Sequence, residues 1–106
     1  MIIVEDVPLE LKGTEGIFKT DIPEAEIIGT AENEPAYWRL IKVQKPDLVL
    51  LDLGLGGSTT IGVEICRSTK QQYPAGMGLI FTGVILRERL WGDALDAGCD
   101  GIILKS

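Results

Sequence analysis

Five residues able to do chemistry stand at the ends of apolar runs. Glu5 and Asp6 follow Ile2-Ile3-Val4, Asp52 follows Leu48-Val49-Leu50-Leu51, Thr82 follows Leu79-Ile80-Phe81, and Lys105 follows Ile102-Ile103-Leu104. Together they are three carboxylates, a hydroxyl and an ammonium. Two carboxylates about 4 Å apart repel by roughly 1 kcal/mol in water and roughly 4 kcal/mol at the effective dielectric of a protein surface. Three brought together therefore call for a cation. A hard, oxygen-seeking divalent ion such as Mg²⁺ fits, because it takes one or two carboxylates plus waters and phosphate oxygens. The lysine and threonine then remain for an anion. An aspartate is also a nucleophile toward a phosphoryl group, giving an aspartyl phosphate, with the metal and Lys105 neutralising charge on the transferring oxygens.

The elements that must bring these residues together are legible from apolar patterning. Leu48 to Leu51 has no polar alternation, the mark of a strand buried on both faces within a parallel sheet covered by helices. Asp52 stands where that strand ends, and Gly54, Gly56 and Gly57 mark the loop that leaves it. In open α/β sheets such loops, at the carboxyl ends of the strands, are where ligands bind. Taken in order, Met1 to Val4 is a first strand. A helix follows over Pro8 to Lys19, with Leu9, Gly13 and Ile17 on one face, weakened by Gly13 and Gly16 at about 1 kcal/mol each. A second strand spans Ala25 to Ala31 around Ile27 and Ile28. Asn33 caps a second helix whose inner face carries Tyr37, Trp38 and Ile41 and which Pro46 stops.

Beyond Asp52, a loop from Gly54 to Gly62 leads into a third helix over Val63 to Gln72, with Val63, Ile65 and Cys66 apolar and Arg67 and Lys70 toward solvent. Met77 to Phe81 is the fourth strand, Leu86 to Ala97 the fourth helix with Gly98 as its C-terminal cap, and Gly101 to Leu104 the fifth strand. Five strands alternating with four helices specify an α/β fold, a parallel sheet layered between helices. All strand carboxyl ends then share one edge, so Glu5, Asp6, Asp52, Thr82 and Lys105 converge.

Composition narrows the function classes. At 106 residues the chain has the size of one domain, and 45% hydrophobic with 25% charged residues is ordinary for a globular one. A net charge of -6 argues against direct nucleic-acid binding, which needs a basic face. Cys66 and Cys99 lack the spacing of a metal or redox pair, so reduced thiols and a cytoplasmic location are expected. No apolar run approaches the roughly 18 residues that span a bilayer.

The opening Ile-Val-Glu-Asp-Val-Pro-Leu, the central Pro-Asp-Leu-Val-Leu-Leu-Asp, the Phe-Thr-Gly after the fourth strand and the closing Ala-Gly-Cys-Asp-Gly-Ile-Ile-Leu-Lys together resemble a response-regulator receiver domain. The resemblance covers nearly the whole chain, and the Gly-x-Asp-Gly-x-x-Leu-Lys ending most resembles the NarL/FixJ type. It implies a flavodoxin-like, doubly wound five-stranded sheet in the order 2-1-3-4-5. It further implies that Asp52 accepts a phosphoryl group from a sensor histidine kinase, that Glu5, Asp6, Asp52 and the Gly54 carbonyl hold Mg²⁺, and that Thr82 and Lys105 contact the phosphoryl oxygens. Such a domain is a signalling module rather than an enzyme, apart from assisting its own phosphorylation and dephosphorylation.

Several positions depart from the family. Gly56 stands where a proline is common, the loop to Gly62 is longer than usual, and Ile102 stands where an aromatic often reports phosphorylation. Ser106 follows Lys105 where many members have a proline. The family's fifth helix and any output domain, a DNA-binding helix-turn-helix in the NarL/FixJ type, are absent from residues 1–106, which are read as the receiver alone. Without that helix Ile103 or its neighbours meet water unless another segment or a second copy in a homodimer covers them. Plainer readings stand beside each residue: a surface aspartate at 52, helix caps at Glu5 and Asp6, a common strand-end threonine at 82, a charge-balancing Lys105. Their coincidence at one edge favours the phosphoacceptor. The alternative function is a receiver-like interaction domain independent of phosphate, and a phosphatase-type enzyme is disfavoured because the position two beyond Asp52 is Gly54.

Overall fold

The computed structural model describes residues 1–57, 59–74, 76–83 and 88–104. Its elements alternate: β1 (Ile2–Val4), α1 (Pro8–Asp21), β2 (Gly29–Ala31), α2 (Glu34–Gln44), β3 (Leu48–Asp52), a 3₁₀ turn (Leu55–Gly57), α3 (Thr59–Gln72), β4 (Gly78–Gly83), α4 (Glu88–Asp96) and β5 (Gly101–Leu104). The five strands form one parallel sheet in the order β2-β1-β3-β4-β5, the flavodoxin-like order expected from the sequence.

That order decides which helices share a face. Parallel crossovers are right-handed, so α1, which connects β1 to β2 in one direction along the sheet, lies opposite α2, α3 and α4, which step back the other way. Side-chain alternation gives each strand two faces. One carries Ile2, Val4, Val49, Leu51, Leu79 and Phe81, buried with Tyr37 and Ile41 of α2, Ile65 and Cys66 of α3, and Ala94 of α4. The other carries Ile3 and Leu50, 2% and 3% exposed, then Ile80, half-buried, and Ile103, 49% exposed. Burial on the α1 side thus falls from the middle of the sheet toward β5, and Ile103 meets water as the sequence leads one to expect.

The first third of the chain holds a shorter second strand than expected and an exposed helix stripe. β2 is confined to Gly29–Ala31 because Gly29 pairs with Ile2, so residues 25–27 run past the end of β1; Ile28 N–H still reaches the Met1 carbonyl at 2.9 Å, and the Met1 ammonium donates to the Glu26 carbonyl at 2.7 Å. On α1 the stripe of Leu9 and Ile17 faces solvent, at 79% and 59% exposure, and none of the helix is fully buried.

The other helices follow their sequence signals. Asn33 caps α2, its Oδ1 accepting Ala36 N–H at 2.9 Å. Gly98, at φ 97, turns the chain out of α4 and donates its N–H to the Leu95 carbonyl. Between α2 and α3, Tyr37 Oη lies 2.7 Å from Thr69 Oγ1, which itself donates to the Ile65 carbonyl. Burial pushes the Tyr37 hydroxyl up to about 12. Lys70, expected in solvent, instead turns inward. Its Nζ donates to the Met77 carbonyl at 2.9 Å and to Asp100 Oδ2 at 2.6 Å, and the same Asp100 oxygen accepts Leu79 N–H at 2.7 Å. The ammonium beside it holds the Asp100 carboxyl below the usual aspartate range. Asp100 of the Gly-Cys-Asp-Gly run thereby ties α3 to the starts of β4 and β5, the two strands that carry Thr82 and lead to Lys105.

Candidate functional site

β3 ends on Asp52, and the ladder places the other residues around it. Asp52 is the register partner of Thr82 on β4, while on the other side Leu51 pairs with Val4, so Glu5 leaves β1 beside Asp52. Parallel pairing spaces neighbouring strands by about 4.8 Å, which keeps three consecutive strand ends within reach of one another. The backbone continues to hold beyond the ladder: Glu5 N–H donates to the Ala31 carbonyl at 2.9 Å and Leu53 N–H to the Thr82 carbonyl at 2.8 Å. Glu5, Asp52 and Thr82 are all buried, at 3%, 7% and 8% exposure. Buried carboxylates need hydrogen-bond donors. Glu5 Oε1 accepts Val7 N–H at 3.3 Å, and Asp52 Oδ1 accepts Gly54 N–H at 3.2 Å.

The third member of the acidic cluster is not the one expected. Carboxylate oxygens of Glu5, Asp52 and Glu10, the last in the first turn of α1, lie within 4.8 Å of one another. Asp6 stands outside that cluster. Its Oδ2 accepts Gly56 N–H at 3.0 Å, tying the end of β1 to the loop after β3. Nor does Asp6 cap α1, whose N-cap is Val7 with no side-chain bond. Gly56 is at φ 68, a left-handed conformation that glycine adopts without strain. A proline in that place would neither fit nor donate. Glu10 carried a sequence signal, an acidic residue in the first turn of the helix following the Glu-Asp pair.

Gly54 is positioned by the short Asp52-to-Gly54 turn, and a β-carbon on it would come 3.9 Å from Asp52 Oδ1. Gly62 lets α3 lie close against the strand end: a β-carbon there would stand 3.2 Å from the Asp52 carbonyl and 3.4 Å from the Phe81 ring. Ile102, at the position where the family often has an aromatic, packs partly buried against the main core. Lys105 and Ser106 lie outside the described residues, as do residues 84–87, which include the expected start of the fourth helix at Leu86, and Ser58 of the long loop. Cys66 and Cys99 are free thiols, and burial pushes Cys66 up to about 11. A cavity of about 330 Å³ lined by Thr30, Ala36, Arg39, Leu40, Val43 and Gln44 shares no residue with the acidic cluster. No described helix is long and apolar enough to cross a membrane.

The donor set is all oxygen, with two members buried. That chemistry suits a hard divalent cation such as Mg²⁺ rather than a thiolate- or imidazole-seeking metal.

A five-stranded 2-1-3-4-5 sheet with carboxylates gathered at the carboxyl ends of β1 and β3 is the architecture of a receiver, and the comparisons agree. The family model described as the response regulator receiver domain matches residues 1–106. The chain belongs to that family, whose members are the receiver domains of two-component response regulators. It is 27% identical to the transcriptional regulatory protein ComA of Bacillus subtilis over 106 residues, 100% of this chain and 49% of the relative. The chain thus spans about half the length of the curated relative it matches.

Among solved structures, the signal receiver domain of the response regulator NarL from Mycobacterium tuberculosis superposes with a TM-score of 0.84 at 22% identity, covering 97% of this chain and 80% of that one. CheY in the CheX-CheY-BeF3-Mg complex from Borrelia burgdorferi superposes with a TM-score of 0.85 at 23% identity, over 99% and 76% of the two chains. At these identities the two structures establish the shared fold.

Proposed function

We propose that this receiver is a working phosphoacceptor, with Asp52 taking a phosphoryl group from the phosphohistidine of a sensor kinase. The observation that carries the proposal is the burial of Asp52 at the end of β3, opposite Thr82 and within 4.8 Å of two further carboxylates. In the transfer, a carboxylate oxygen of Asp52 attacks phosphorus, the phosphorus–nitrogen bond of the donor breaks, and the imidazole leaves with the bonding pair and takes up a proton. The Gly54 N–H on Oδ1 holds the carboxylate plane for that attack. Glu5 and Asp52, with the Gly54 carbonyl and Asp6 as expected from the family resemblance, are assigned to an Mg²⁺ site. The ion, when bound, neutralises charge on the phosphoryl oxygens. Thr82, buried and paired in register with Asp52, is assigned to donate to one such oxygen, and Lys105 is assigned to another on the resemblance alone.

Support for the cation comes from the chemistry of the acidic cluster and from the beryllofluoride–Mg complex of the Borrelia structure. Control of transcription is proposed from the name of the half-matched Bacillus relative. A histidine kinase partner and a cytoplasmic location belong to the same proposal. The test is Mg²⁺-dependent labelling with acetyl phosphate, read by intact mass, comparing the wild type with Asp52→Ala. A mass gain that needs both Mg²⁺ and Asp52 is expected. No gain in the folded wild type would favour the second reading, a phosphate-independent interaction domain, for which Gly56 at its positive φ and the aliphatic, core-packed Ile102 are the motivating observations.

A further inference from the structure

We infer that the open edge of β2, with the groove between it and α2, docks an extended segment of a partner protein that carries one carboxylate between apolar residues. β2 is the outermost strand of the sheet, and among the described residues no strand pairs with its far side. The Ala31 carbonyl faces β1, where it accepts Glu5 N–H at 2.9 Å. Backbone groups of successive strand residues point to opposite edges, so Thr30 presents its N–H and its carbonyl outward. That is the donor and acceptor pair by which an extended segment adds to a sheet.

The groove beside this edge receives side chains. Ala36, Leu40 and Val43 follow one another at helical spacing along α2. With Thr30, Arg39 and Gln44 they line the cavity of about 330 Å³. Its floor depends on Gly29: a β-carbon there would stand 2.8 Å from Leu40 Cδ2, so the missing side chain lets Leu40 lie against the edge strand. Val43 is 78% exposed, an apolar surface that a docked segment covers. Arg39 is exposed too, and among the described residues it forms no ion pair. Alternate side chains of an added strand fall on the α2 side. Two apolar ones meet Leu40 and Val43, and a carboxylate between them meets the Arg39 guanidinium in a charge-assisted bond. Charge also selects against a second copy of this chain, which would bring Glu24, Glu26, Glu32 and Glu34 from the flanks of its own β2 to an edge with the same flanks. The groove has no residue in common with the acidic cluster, and a docked segment needs neither a cation nor a phosphoryl group.

The experiment titrates the isotope-labelled chain with the synthetic peptide acetyl-Lys-Val-Thr-Glu-Thr-Val-Lys-amide and follows the Thr30 and Val43 amides by NMR. The valines and the glutamate of this peptide share one strand face, and its terminal lysines suit Glu26 and Glu32. A saturable shift at both amides is expected. The same peptide with glutamine in place of the glutamate is expected to bind about tenfold more weakly, and Arg39→Gln to bind both peptides at that weaker level. Thr30→Pro removes only the outward N–H, which an edge strand tolerates, and is expected to fold and lose binding. A Thr30 amide that does not move at millimolar peptide, or an Arg39→Gln variant that still separates the two peptides as the wild type does, overturns the proposal. Retained binding in a folded Thr30→Pro overturns it as well, since the peptide then occupies the groove without adding to the sheet. A Thr30 shift that grows with protein concentration in the absence of peptide assigns the edge to a second copy instead. If Thr30→Pro does not fold, Arg39→Gln decides alone.

Discussion

Replacing Asp52 by asparagine is expected to stabilise the metal-free protein even though it destroys the proposed phosphoacceptor. Asp52 is 7% exposed and its carboxylate lies within 4.8 Å of both Glu5 and Glu10. Two unit charges at that separation repel by about 0.9 kcal/mol in bulk water and about 3.5 kcal/mol at an effective dielectric of about 20. Two such pairs bracket the relief between about 1.7 and about 7 kcal/mol. The lower limit is taken as the working figure, since each of the three carboxylates also has another interaction partner. Asparagine keeps its Oδ1, so the bond from Gly54 N–H survives and nothing is subtracted for it.

A gain of about 1.7 kcal/mol raises the melting temperature of a domain near this size by about 7 °C or more. Differential scanning calorimetry in EDTA reads it. Saturating Mg²⁺ should then close the gap, since an ion at about 100 times its Kd stabilises the wild type by about 2.7 kcal/mol while the variant has lost a ligand. If Asp52→Asn melts at or below the wild type in EDTA, the three carboxylates do not share one repulsive site and the cation argument loses its basis.

The remaining predictions concern the frame around the site. In the bond between α2 and α3, Tyr37→Phe removes one donor and leaves Thr69 satisfied by the Ile65 carbonyl, for a loss of about 1 kcal/mol; Thr69→Val strands the buried Tyr37 hydroxyl and should cost about 1–3 kcal/mol, the larger of the two by urea denaturation. Gly62→Ala should destabilise by about 1–3 kcal/mol and slow acetyl phosphate labelling, although alanine is the better helix former, because its β-carbon would meet the Asp52 carbonyl at 3.2 Å. Asp100 has a lowered carboxyl, chiefly through its hydrogen bond to Lys70, so its contribution is complete above the ordinary aspartate value near pH 4 and is lost as pH falls through the lower folded value. Acid unfolding curves of Asp100→Asn should accordingly be flatter than those of the wild type below about pH 4.

The residues that were legible in the sequence are those whose position follows from a single strand. An apolar run that stops on a polar residue reveals which side chain leaves the sheet at its carboxyl end, and parallel pairing does the rest. That is why Glu5, Asp52 and Thr82 meet where the apolar runs place them. At Asp6, one residue further on, that reasoning no longer reaches, and the carboxylate accepts Gly56 N–H. Strand alternation no longer applies there, and the direction of a side chain depends on how the chain turns into the next helix.

At Val7 that turn sends Asp6 to Gly56 and brings Glu10 round to Asp52, an exchange that no periodicity of two or of 3.6 describes. Lys70 was misread for a related reason. Its helix phase allowed a solvent position, but its acceptors, Met77 and Asp100, lie 7 and 30 residues further along the chain. The shortened β2 was equally a matter of register, since Ile27 and Ile28 have strand-like side chains but stand beyond the paired length of β1. Sequence patterning thus locates the edge at which the chemistry is gathered, whereas the junctions between strand and helix decide which carboxylates reach it.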